Sequence, residues 1–158
     1  MEQKSLSNWL KGIIISMGII GVILYFKILP LILAETLNNL GLLSYYRIWL
    51  IIIMISAIPC FLVLVFGYLI SNNIGNDKSF TKENANYLKI IMILDIIDTI
   101  YFFVANVTLY IFKMSSPLIF VISLIIEFAG ICISVAAACL SHLVVNAANL
   151  KEESDLTI

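Results

Sequence analysis

The sequence predicts an all-α integral membrane protein, a four-transmembrane-helix bundle with both termini on the cytoplasmic side. Three observations carry that expectation. The first is composition: of 158 residues, 62% are hydrophobic and only 12% charged. A soluble domain is nearer half apolar and about a quarter charged. A chain this short cannot hide the excess in its own core, so lipid must cover part of it. The second is that four segments, about residues 10–33, 48–70, 88–112 and 118–145, each supply the roughly 20 predominantly apolar residues that a span needs. The third is an uneven distribution of basic residues between the two sides. The connections are short, so residues 1–158 read as one membrane domain with a cytoplasmic loop at 71–87 and a cytoplasmic tail at 146–158.

The first span follows Lys4 and Lys11, as a signal peptide would, but its apolar stretch is longer than such a peptide carries. No small-x-small cleavage site follows it, so it reads as retained. Lys27 lies about 25 Å along this helix, close enough to the far edge for its ammonium to snorkel outward. Pro30 and Pro59 predict kinks in the first two spans, which neighbouring helices can accommodate. Before the third span, Thr81 is placed to cap the helix and Glu83 suits its positive end, so this helix is expected to begin in water near Lys82. The fourth span exceeds the membrane thickness and predicts either tilt or extension into water. Trp9, Tyr25, Tyr45, Tyr46, Trp49, Tyr68, Tyr87 and Tyr110 fall near predicted ends, where amphipathic rings prefer to sit.

With four spans, the N-terminus, the middle loop and the tail share one side. That side holds Lys4, Lys11, Lys78, Lys82, Lys89 and Lys151, against Lys27, Arg47 and Lys113 on the other. Six against three predicts a multi-pass protein of the plasma membrane with cytoplasmic termini.

Several functions are excluded on residue grounds. A net charge of −1 offers no bulk attraction to nucleic acid. Cys60, Cys132 and Cys139 are odd in number, form no CxxC and read as small buried hydrophobes. There is no HExxH, nucleophile elbow, phosphate loop or metal-spaced Cys/His cluster, so neither enzyme, cofactor nor metal site is expected. An intramembrane diaspartyl protease would place its acids on separate helices. No internal repeat supports an inverted-repeat transporter. His142, alone near the inner end of the last span, reads as an interfacial residue.

The stretch "ILDIIDTIYFF", residues 93–103, holds two acids in an otherwise apolar run. Counted from Leu88, Asp95 lies roughly 10 Å deep and Asp98 roughly 15 Å, near the bilayer centre. Both share a broad helix face with Phe102 and Asn106, and such a seam should face protein. On the fourth span Ser123, Glu127, Gly130, Ser134, Ala138 and Ser141 form a stripe of small and polar residues. Helices approach closely along such stripes. Glu127 lies about 16 Å from the inner edge, the depth of Asp98, so these two are expected to meet across an antiparallel pair. No lysine or arginine lies at that depth. Three carboxylates in a low-dielectric cluster cannot all ionise, so at least one is expected to hold a proton at neutral pH. The cluster Asp95, Asp98, Asn106 and Glu127 is either hydrogen-bonding glue or a site for a proton, a metal cation or a cationic ligand; both readings stay open.

Two further stretches carry a resemblance. "KSFTKENANYLKII", following a second span, and a chain ending in "LKEESDLTI" resemble the domain-of-unknown-function 2975 family, small bacterial proteins with four membrane helices. The matching positions are Phe80, Glu83, Asn84, Leu88 and Lys89, then Leu150, Lys151, Glu152, Glu153, Asp155, Leu156, Thr157 and Ile158; Ser154 stands where an asparagine is expected. Members are often encoded beside a small helix-turn-helix regulator. The resemblance therefore implies a membrane protein that tethers or inhibits a cytoplasmic transcription factor, without touching nucleic acid itself. Phe80, Glu83, Asn84, Lys89, Leu150, Glu152, Glu153, Asp155 and Leu156 would then carry the docking contact. It implies no catalytic residue and lends nothing to Asp95 and Asp98. The alternatives are a proton- or cation-coupled transporter or ligand sensor built on the intramembrane acids, and a self-immunity protein against a membrane-active peptide. The transporter reading calls for a homo-oligomer, because four helices enclose little volume.

Overall fold

The computed structural model describes residues 3–156, with side chains through residue 154. Five α-helices follow in order: α1 (Gln3–Ile23), α2 (Leu29–Asn39), α3 (Tyr46–Gly75), α4 (Lys82–Ile111) and α5 (Pro117–Leu156). No strand occurs among the described residues. A single π-helical turn at Leu24–Ile28 joins α1 to α2. The result is four helical rods, Gln3–Asn39, Leu43–Gly75, Lys82–Ile111 and Pro117–Ser154, each long and apolar enough to cross a membrane. Helix is the state these runs must take, because hydrocarbon offers no partner for an unsatisfied backbone group. The rods overrun the apolar windows because hydropathy marks lipid contact, not the last backbone hydrogen bond.

Pro30 has no N–H to return to the preceding turn, and the helix widens just ahead of it. The N–H of Leu29 bonds the carbonyl of Leu24, five residues back. The irregularity expected at Pro30 is thus a π turn that half-buries Tyr25 and leaves Phe26 and Lys27 outward. Pro59, by contrast, lies inside α3 without breaking it.

Three helices end alike. Gly41, Asp77 and Lys113 take left-handed φ values of 69°, 59° and 58°. After each, the next N–H returns to a carbonyl five residues back: Leu42 to Leu37 at 2.8 Å, Lys78 to Asn73 at 2.9 Å and Met114 to Leu109 at 2.8 Å. These bonds close the helix ends, and only Gly41 has the residue type that takes such a φ without strain. Thr81 caps α4 as expected, its hydroxyl accepting from the Asn84 N–H at 3.3 Å.

Packing follows chain order. α1 and α2 pack on α3, α3 on α4 and α4 on α5, and no other pair of spans brings its backbones within 8 Å among the described residues. α1 is clasped to α3 by two reciprocal bonds: Ser7 Oγ donates to the Ser71 carbonyl at 2.6 Å and Ser71 Oγ to the Ser7 carbonyl at 2.9 Å. The approach is so close that a Cβ at Gly75 would lie 2.7 Å from Ser7 Oγ. α5 meets α4 along Ser123, Glu127, Gly130, Ser134, Ala137 and Ser141. The spacing alternates four and three, as in a coiled-coil seam. At the end of the molecule away from the termini, Leu37, Trp49 and Leu109 form a small core, with Trp49 Nε1 donating to the Met114 carbonyl at 3.1 Å.

Candidate functional site

α4 runs between α3 and α5, and this decides where its acids go. Three residues of helix turn a side chain by about 300°, leaving Asp95 and Asp98 about 60° apart. That offset sends them to different neighbours. Asp95 Oδ2 accepts from Ser134 Oγ of α5 at 2.5 Å. Asp98 Oδ2 accepts from Ser56 Oγ of α3 at 2.9 Å, with Cys60 Sγ at 4.0 Å. Glu127 lies further along α5, where Asn106 of α4 faces it. The antiparallel pairing is therefore as expected, with Ala85 opposite Ser141, Asp95 opposite Ser134 and Asn106 opposite Glu127. The expected meeting of Asp98 with Glu127 does not occur. Depth matched, but rotation about the α4 axis turned Asp98 to the other side.

These groups are sparsely satisfied. Asn106 is 1% exposed and Glu127 6%. Yet Asn106 and Glu127 face each other without a well-formed hydrogen bond, and Oδ1 of Asp98 is buried without a partner. Most buried polar atoms in folded proteins have one. None of the three acids is paired with a basic side chain among the described residues. No group of three metal-ligating side chains occurs among those residues, and all three cysteines are free thiols.

Beside Ser56 lies a groove of about 400 Å³. Its walls are Tyr25 to Thr36 of the first rod and Ile119 to Ile126 of α5, and its floor is Trp49, Ile53 and Ser56 of α3 with Phe102 of α4. The first and last rods bring no backbones within 8 Å of each other among the described residues, and the space they both line is open on one side. At its Tyr25 end, Tyr25 Oη donates to Cys60 Sγ at 3.3 Å, and Cys60 and Ser56 both reach Asp98. Ser56 escaped the sequence reading, which took Tyr25 for a span-end aromatic and Cys60 for a buried hydrophobe, whereas Cys60 is exposed on its helix. Ser56 did leave a trace: a lone hydroxyl in the run "IIIMISAIPC", available to any acid that needed a donor at that depth.

The loop and tail residues come together at the opposite end. Lys82 Nζ lies 2.7 Å from Glu152 Oε2 in an exposed ion pair. Phe80 and Leu150, each two residues from that pair, are 58% and 67% exposed. Glu83, Lys89 and Glu153 are also exposed, and Glu83 Oε1 accepts from Tyr87 Oη at 2.6 Å. Asn84 is not on this surface. It is 1% exposed and ties the loop down, with Nδ2 donating to the carbonyls of Lys78 and Ser79 at 2.9 and 3.0 Å and Oδ1 accepting from Asn73 at 2.8 Å. Asp155 and Leu156 belong to the last turn of α5, but their side chains lie outside the described residues.

Four apolar rods with acids between them, and no strand among the described residues, define an all-α multi-pass membrane protein. The chain belongs to the family described as a protein of unknown function, DUF2975, which it matches over residues 33–158. It is similar to the uncharacterised membrane protein YoaS of Bacillus subtilis (strain 168), with 29% identity over 127 residues, covering 79% of this chain and 78% of that relative. No solved structure matches it. The match takes in α3, α4, α5 and the far part of α2, and leaves α1 and Tyr25 outside.

Proposed function

We propose that this is a non-enzymatic regulatory protein of the plasma membrane that tethers or inhibits a cytoplasmic helix-turn-helix transcription factor. The observation that carries the reading is the union of the α3–α4 loop with the end of α5, sealed by Lys82 and Glu152. Two segments separated by some seventy residues of chain, and both bearing the family resemblance, supply one surface. α5 has 40 residues, a length of about 60 Å against a hydrocarbon core of roughly 30 Å, so its last turns project from the membrane. Exposed Phe80 and Leu150 then serve as apolar anchors for a partner helix, ringed by the charges of Lys82, Glu83 and Glu152. The lysine bias supports a cytoplasmic position for this end.

The test is purification of the tagged, detergent-solubilised full chain from the bacterium that encodes it, with mass spectrometry of what accompanies it. A small helix-turn-helix protein is expected in comparable amount, lost in Phe80→Asp, in Leu150→Asp and on removal of residues 150–158, while membrane insertion persists. Isolation of the membrane protein alone, or a regulator retained by all three variants, would refute the reading. The ligand-sensing alternative draws support from Asp98, whose Oδ1 is buried without a partner and whose Oδ2 accepts from Ser56 of the groove lining.

A further inference from the structure

We infer that Lys11 and the groove beside it on α1 form a binding site for an anionic phospholipid, its phosphate held by Lys11 and one acyl chain lying along Gly12 and Ser16. The site lies on α1 and α3, apart from the surface that carries Phe80 and Leu150.

Lys11 is a cation without a counter-charge. α1 and α3, which pack on each other, contain no acidic residue over their whole lengths. Lys11 makes no ion pair among the described residues. Its ammonium is fixed instead by two neutral groups of α3. Nζ donates to Asn72 Oδ1 at 2.8 Å and stands 5.5 Å from the centre of the Tyr68 ring, within the range of a cation–π contact. These contacts order a side chain that would otherwise be free, so a ligand does not have to. Two of the three ammonium N–H donors remain unspent. The Nδ2 of Asn72 is unspent as well, and so is the Asn8 amide, among the described residues.

The ammonium lies at the membrane edge on the side of the chain's ends. Asn73, next to Asn72, bonds Asn84 of α4 at 2.8 Å, one turn before the apolar run of α4 opens at Leu88. That is headgroup depth. From there a shallow groove of about 660 Å³ runs along α1 from Asn8 and Trp9 past Gly12 and Ser16 to Ile20. Twelve residues of helix make it about 18 Å long, more than half of a hydrocarbon core of roughly 30 Å. Gly12 opens it, since a Cβ there would meet nothing within 4 Å. Asn8 is three residues from Lys11 and so adjoins it on the helix surface, which brings the head of the groove to the ammonium. A phospholipid fits both parts, with hydrocarbon in the groove and a phosphate diester at Lys11. An uncompensated positive charge selects a headgroup of net negative charge, because a zwitterionic one carries its own ammonium.

Trp9 reports on the site: it lines the groove and is 66% exposed, whereas Trp49, the only other tryptophan, is 2% exposed near the opposite end. The full chain is placed in bilayers of mixed phosphatidylglycerol and phosphatidylcholine, with brominated acyl chains on one lipid and then on the other. Quenching of tryptophan fluorescence then gives the relative affinity of the two lipids beside Trp9. A preference for phosphatidylglycerol of about fivefold or more is expected, the scale of one lysine at a charged membrane surface. It should fall to about twofold or less in Lys11→Gln. Lys78→Gln removes the same charge from the same end and should keep the preference. Inorganic phosphate at constant ionic strength should leave the preference intact, because it makes no use of the groove. Equal affinity of the two lipids in the parent protein overturns the inference by itself, whatever the variants do to folding. An equal loss in Lys11→Gln and Lys78→Gln also overturns it, since bulk surface charge would then suffice. Relief by inorganic phosphate overturns it too, leaving an anion site with no lipid.

Discussion

Gly130 on α5 offers a sharp test of how α4 and α5 fit. A Cβ built there would lie 2.8 Å from Thr99 Oγ1 and 3.8 Å from Asp95 Oδ1, with nothing else within 4 Å. Ordinary contact begins at 3.4 Å, so Gly130→Ala intrudes by 0.6 Å on one atom alone. Two opposing terms follow. Alanine is the better helix former by about 1 kcal/mol. Overpacking a close interface costs about 1–3 kcal/mol, and Thr99, branched at Cβ, has few rotamers to retreat into. The net expectation is a loss of about 1–2 kcal/mol in reversible unfolding, followed by tryptophan fluorescence in mixed micelles of mild detergent and SDS. The sign should then reverse in a Thr99→Ala background, where the offending oxygen is gone and the nearest neighbour is at 3.8 Å. There Gly130→Ala should stabilise by up to about 1 kcal/mol. In Thr99→Val the methyl replaces the oxygen and the loss should persist. A stabilising Gly130→Ala in the parent, or a loss undiminished by Thr99→Ala, would refute the reasoning.

Three other outcomes are expected. Asn84→Ala removes three side-chain bonds, two to the 76–81 connection and one to the end of α3, so limited trypsin digestion at Lys78 and Lys82 should accelerate severalfold, while the spans stay inserted. Lys113→Gly relieves a left-handed residue and should raise stability by about 1 kcal/mol in the same micelle assay. Ser7→Ala and Ser71→Ala should each cost about 0.6 kcal/mol, the usual scale of a membrane hydrogen bond, with the double variant departing from their sum because the two bonds fix one another.

The fold was legible because lipid enforces it: four apolar runs must be helices, and the small-residue stripe of α5 named the face that meets α4. Even that stripe drifted by one residue. Ala138 was expected from the 3.6-residue period, whereas the buried residue is Ala137, because two helices in long contact follow a 3.5-residue seam. The Thr81 cap was legible because it is local. Asp98 was not, since depth can be counted along a helix but rotation toward one of two neighbours depends on where those neighbours stand. The groove was out of reach for the same reason: Tyr25, Ser56, Phe102 and Ile126 come from four different spans. Asn84 was misjudged because an asparagine in a polar loop looks available until its neighbours Lys78, Ser79 and Asn73 are seen to occupy it.

The order of contacts bears on how such a molecule is made. Among the described residues each span brings its backbone close only to those next to it in the chain, so each helix after the first finds its preceding partner already made. The first rod is met by α3 through Ser7 and Ser71, α4 arrives against α3 through Asp98 and Ser56, and α5 closes on α4 through Ser134 and Asp95. An acid entering the membrane on α4 finds the Ser56 hydroxyl already in place, while Asp95 waits for one helix more. Biogenesis is then a sequence of pairwise dockings with local entropy costs, the topology that assembles fastest.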